Sequence, residues 1–133
     1  MLCKVPVTTW FLGWMLLLTA CPEEPRFGPG TLFSGQLRAA NAPDVFEADL
    51  RVLGVSGSTF NAVLELPALG RRSEVRGEMI GSKLSFVEPR GGYEYRYEGL
   101  LDGRSLELRW RMVRADGTLG DHGFLQLALR RRE

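Results

Sequence analysis

Acid–base chemistry in this chain would fall on one imidazole, because His122, in Gly120-Asp121-His122-Gly123, is its only histidine. Serine and aspartate are present, but no nucleophile elbow or other triad setting accompanies them. Metal binding meets the same limit: Asp121 and His122 offer two adjacent ligands where zinc sites take three or four from the protein. No catalytic residue, metal site or cofactor is assigned, and the chain reads as a non-enzyme. The pattern nearest to a binding site is aromatic. Tyr93, Tyr95 and Tyr97 alternate with Glu94 and Arg96, which on a strand puts three phenols on one face, with Trp110 on a neighbouring strand. An enclosed phenol needs a hydrogen-bond partner, so the row implies either a paired polar network or a cavity lined for a ligand. Tyr93, Tyr95, Tyr97 and Trp110 are the candidate ligand-binding residues. A second candidate is Arg130-Arg131-Arg132, either a solvated strand end or a contact for a phosphate or anionic head groups, at roughly 1 kcal/mol per arginine near such a surface.

The elements that must position these residues are strands. From Thr31 onward no window keeps a 3.6-residue period, whereas apolar and polar residues alternate in segments separated by turn signals. Phe46, Ala48, Leu50 and Val52 oppose Glu47, Asp49 and Arg51; Leu106, Leu108, Trp110 and Met112 oppose Glu107, Arg109 and Arg111. Such segments suit a sheet with one solvated face. The eight predicted strands are 31–38, 45–53, 58–66, 73–80, 83–87, 93–100, 105–113 and 123–130. Gly81-Ser82, Asp102-Gly103 and Asp116-Gly117 are hairpin signals that join neighbours antiparallel. The links 39–44 and 67–72 leave no room for a helix. A meander with one apolar face either packs on something or closes on itself, and closure removes the exposed edges. Gly35, Gly77 and Gly99 fall inside strands, where a missing side chain permits the bends of a small barrel. The expectation is an all-β, eight-stranded antiparallel up-and-down barrel over residues 31–133.

The N-terminal segment reads differently. Lys4 is the only charge before Glu23, and residues 5–18 are almost wholly apolar, a charged n-region followed by an h-region. The run contains Pro6 and Gly13 and is shorter than the roughly 20 apolar residues of a spanning helix. It ends in Leu18-Thr19-Ala20-Cys21, which resembles the bacterial lipobox. That resemblance implies a signal peptide over 1–20, cleavage after Ala20, and a diacylglycerol on the Cys21 thiol, which is the nucleophile of the maturation. Acyl chains on one residue would hold the protein to its membrane, because each buried methylene contributes about 0.8 kcal/mol. Pro22 is not the aspartate of inner-membrane retention, so the same resemblance favours a lipid-anchored place in the bacterial envelope at the outer membrane. Residues 21–30 have the Pro/Gly composition of an extended tether. With Cys3 removed and Cys21 lipidated no disulfide is possible, so about 100 residues must be held by their core alone. Removing Lys4 leaves 16 basic and 16 acidic residues of the 17 and 16 in the full chain, so there is no basic field for nucleic acid.

Val75-Arg76-Gly77-Glu78-Met79-Ile80-Gly81-Ser82-Lys83-Leu84-Ser85-Phe86 and Tyr95-Arg96-Tyr97-Glu98-Gly99-Leu100-Leu101-Asp102-Gly103 resemble, in pattern, calycins and avidin-like barrels. Phe33-Ser34-Gly35 stands where such families carry Gly-x-Trp, so no ligand residue is carried over. The resemblance implies a barrel with one end open to a small apolar or amphipathic molecule. Two functions follow: a membrane-anchored barrel binding such a ligand, or a non-enzymatic envelope lipoprotein with a filled core whose surface contacts another envelope protein. An interior that is open or filled at the tyrosine face separates them.

Overall fold

The computed structural model describes residues 27–132; the signal segment, Cys21 and the residues up to Arg26 lie outside the described residues. Eight strands follow one another: β1 (Thr31–Ala39), β2 (Val45–Ser56), β3 (Thr59–Leu66), β4 (Arg71–Ile80), β5 (Lys83–Pro89), β6 (Tyr93–Asp102), β7 (Ser105–Arg114) and β8 (Leu119–Arg132). Each pairs antiparallel with the next, and β8 returns to β1 to close the barrel, as the alternation predicts. Side chains alternate between wall and interior. Along β7, Leu106, Leu108 and Trp110 are buried while Glu107, Arg109 and Arg111 are exposed. Phe33, Leu50, Leu64, Leu84, Leu106 and Leu125 have no exposed surface. Closing eight strands this tightly requires residues without a Cβ: one built on Gly99 would collide with the backbone oxygen of Glu107 on β7.

The strands run further than the periodicity alone suggests. β4 starts at Arg71 and not Ser73, because Pro67–Leu69 form one 3-10 turn ended by Gly70 and the ladder resumes at once with Leu66 opposite Arg71. β5 runs to Pro89, with Glu88 opposite Tyr95. β8 begins at Leu119 rather than Gly123.

The two ends of the barrel differ. At the end where the chain enters, Gly57-Ser58, Gly81-Ser82 and Gly103-Arg104 are the two-residue links of β2–β3, β4–β5 and β6–β7. Gly103 has φ 63 and no non-glycine residue among those described has positive φ, the pattern of a type II′ turn with glycine first. The last residues of the Pro/Gly segment close this end. The Phe27 ring lies edge-on to Phe60 at 4.8 Å and 6.0 Å from Phe33, while the Gly30 amide donates to the Val52 carbonyl at 2.9 Å. At the far end the links are longer: 40–44, 67–70, 90–92 and 115–118.

Three substitutions check this architecture by urea denaturation and circular dichroism. Leu50→Asp, which buries a charge, is expected to unfold the domain, whereas Arg109→Ser on the wet face changes stability by less than about 0.5 kcal/mol. Gly99→Ala must push β7 away and is expected to cost about 1–3 kcal/mol; a neutral result would contradict the close strand approach.

Candidate functional site

The far end gathers the charged side chains of the interior. Leu84, Phe86 and Glu88 follow one another on the inward face of β5, and Glu88 has no exposed surface. A buried carboxylate is costly unless each oxygen finds donors. Here the Arg71 guanidinium donates from Nε to Oε2 at 3.0 Å and from Nη2 to Oε1 at 2.7 Å. Ser73 Oγ donates to Oε2 at 2.6 Å and the Tyr97 hydroxyl to Oε1 at 2.9 Å. The planar guanidinium fork suits such two-point recognition. Arg71 Nη2 also donates to the Tyr97 hydroxyl at 3.3 Å, and Arg90 Nη1 stands 3.8 Å from Oε2. Among the described residues no buried side-chain polar atom lacks a partner.

These contacts set the charges. Burial works against ionised Glu88, but the hydrogen bonds from Arg71 and Ser73 outweigh it and hold its pKa below the ordinary 4.5. Burial likewise opposes the Arg71 cation, and its hydrogen bond to Glu88 more than restores it, so its pKa is raised. Burial, then the Glu88 charge, pushes the Tyr97 phenol above the ordinary 10. Burial also raises Tyr95, against the pull of Arg71.

All four aromatic candidates lie on the inward side, but they divide by depth. Tyr97 is buried, stacked on Phe86 at 4.5 Å and 17°. It therefore belongs to a paired polar network and does not line an open cavity at that depth. Tyr93 and Tyr95 are half-buried nearer the mouth. Tyr95 lies edge-on to Tyr93 and to Trp110, both at 5.6 Å, and the Arg71 guanidinium sits 4.4 Å over its ring. Trp110, opposite Tyr97 on β7, is buried and donates from Nε1 to the Arg38 carbonyl at 3.2 Å. Cys21 lies outside the described residues, as do the side chains of Arg131 and Arg132; Arg130 is exposed on β8. His122 is exposed on the outer wall, in a groove of about 440 Å³ beside Arg109, Arg111 and Phe124. A wider groove of about 780 Å³ also lies on the outer wall, by Glu47, Asp49 and Glu107.

Arg71 and Glu88 fall past the predicted strands 73–80 and 83–87, and Ser73 opens the first of these as an ordinary polar residue, so none of the three stands among the sequence candidates. The signal was present: continuing β5 by one residue gives Leu84, Phe86, Glu88 in one register, and continuing β4 backward gives Arg71, Ser73, Val75.

No family model matches the chain, and no curated protein matches it. In fold it is similar to the solved structure of apo bradavidin2 (form B), with a TM-score of 0.54 and 12% identity over 77% of this chain and 98% of that one. The likeness supports the avidin-like barrel resemblance as architecture.

The network predicts a defined pH response. A carboxylate whose pKa is lower folded than unfolded adds stability that is full above about pH 4.5 and disappears as pH falls through the folded value. The raised Tyr97 phenol adds stability that is full below about pH 10 and disappears as pH rises through its folded value. Glu88→Gln is expected to remove the acid-side loss and to cost about 3–5 kcal/mol at neutral pH, since it strands the Arg71 charge. Urea titrations at several pH values read both effects; a variant as stable as wild type at neutral pH would contradict the role given to the carboxylate.

Proposed function

We propose that the protein is a non-enzymatic, lipid-anchored barrel of the bacterial envelope, held through acylated Cys21 at the outer membrane, that binds a small amphipathic ligand at the far mouth. One observation carries the binding reading: the two ends of the interior are finished differently. The entry end is sealed by Phe27. At the far end Tyr93 and Tyr95 face inward yet remain half-buried, and Arg71 lies across the Tyr95 ring. Inward-facing aromatic surface that the fold does not cover marks a contact site, and longer links around it are where scaffolds place binding residues. The apolar part of a ligand would meet the Tyr95 and Trp110 ring edges, and its polar group the Tyr95 or Tyr93 hydroxyl or Arg71. The charge balance suits a ligand that is neutral or anionic, because Arg71 and Arg90 face a single Glu88 carboxylate.

The complete pairing of Glu88, Arg71 and Tyr97 favours a second reading. In it the core is wholly structural and the protein acts through its outer surface on another envelope component.

Binding of an environment-sensitive apolar dye separates the two. Saturable binding is expected, weakened about fivefold by Tyr95→Phe, the usual worth of one hydrogen bond, and more by Tyr95→Ala. No saturable binding to the wild-type protein leaves the surface reading ahead. Native mass spectrometry after gentle purification would show a retained ligand directly. The anchor is tested by Cys21→Ser, expected to abolish lipid labelling and release the protein from membranes; persistent attachment would contradict it.

A further inference from the structure

We propose that the entry end of the barrel docks on the bilayer, with Ile80, Lys83 and Leu100 in the head-group layer and the far mouth turned away from it. The inference rests on the lipid attachment at Cys21 proposed above. Three observations support it. The first is covalent reach. Six residue steps separate Cys21 from Phe27, at most about 20 Å of extended chain, and Phe27 is fixed beneath the entry end by Phe33 and Phe60. The far mouth is a full strand away, and ten residues such as those of β4 span roughly 30 Å.

The second observation is an exposed apolar row. Ile80 pairs with Lys83 across β4 and β5, and Lys83 with Leu100 across β5 and β6, so the three stand side by side at the entry end. Ile80 is 65% and Leu100 55% exposed, and Val55 at the end of β2 is 42% exposed. Leu69 and Leu119 are also exposed, but they lie at the far end and are not strand partners. A lysine between two large apolar residues can lay its stem along them and keep its ammonium among the head groups. The third observation is charge. Lys83 and Arg104 stand at the entry end, where β8 also finishes through Arg130-Arg131-Arg132, against Asp102 among the described strand ends and links there, a balance that favours an anionic lipid surface. The two-residue links leave no loop protruding between this row and the membrane.

The test uses the full, lipidated protein on vesicles of equal parts phosphatidylethanolamine and phosphatidylglycerol, a fraction of them brominated on the acyl chains. Tryptophan is introduced in turn as Leu100→Trp, Ile80→Trp and, at the far end, Leu69→Trp, and co-flotation with vesicles is measured alongside fluorescence. Leu100→Trp and Ile80→Trp are expected to be quenched about twofold by the brominated lipid, with Leu69→Trp unquenched. Adding Lys83→Glu to Leu100→Trp should relieve the quenching. Co-flotation with equal emission from Leu100→Trp and Leu69→Trp would overturn the docking while leaving the anchor intact. Failure to co-float would instead overturn the anchor reading and the docking with it.

Discussion

A carboxylate without access to water must be surrounded by donors, and the far half of this barrel is arranged around that demand. Glu88 comes from β5; the groups that satisfy it come from the two strands on either side, Arg71 and Ser73 on β4 and Tyr97 on β6. A one-residue slip in either pairing would turn these donors to the wall and leave the charge alone. The network therefore adds directional side-chain contacts that support the register of the backbone ladders in an interior that is mostly apolar. It also dictates the chemistry of the mouth. With Nε and Nη2 committed to Glu88, Nη1 and the flat face of the guanidinium remain, and the face lies over Tyr95. Such cation–π contacts are worth about 0.5–2 kcal/mol, so Arg71 links the buried carboxylate to the half-buried aromatic surface.

The opposite end is held by apolar contacts. Phe27 meets Phe60 edge-on, Phe60 meets Phe86 at 6.3 Å and 78°, and Phe86 stacks on Tyr97. An aromatic series thus runs from the entry plug to the polar network. Each offset or edge-on pair contributes about 0.5–1.5 kcal/mol beyond burial. With no cysteine among residues 27–132, this continuity takes the place that disulfides hold in many small domains.

The barrel itself was legible in the sequence because its physical requirements are local. Alternation on β2, β6 and β7, glycines at the hairpins, and glycine at position 99 each answer a constraint that a few neighbouring residues reveal. The site was legible only in part. The tyrosine row could be seen because its period lies within one strand. Which tyrosine is sealed and which is half-open depends on Glu88 and Arg71, which are 17 residues apart and meet only after closure. Both residues lie beyond the predicted ends of their strands and near prolines that the fold accommodates: Pro67 starts a tight 3-10 turn and Pro89 sits at the last position of β5, both places where a missing amide costs little.

Depth decides what kind of binding the barrel can support. Eight strands enclose an interior just wide enough for side chains to fill, and Tyr97, Phe86 and Leu84 occupy it at mid-height with almost no exposed surface. A ligand reaching that level would have to displace the Tyr97 hydroxyl from Glu88 and leave a buried carboxylate short of a donor, a loss of about 1–3 kcal/mol or more before any contact is gained. Above that level the cost reverses. Tyr93 and Tyr95 already present unburied ring surface, and covering it releases water without breaking a hydrogen bond to Glu88. A ligand of the kind proposed would therefore gain binding energy only by stopping at the Tyr95 ring. That favours a short, flat or amphipathic ligand over a long apolar chain and leaves its polar end at the rim, within reach of the links 67–70 and 90–92.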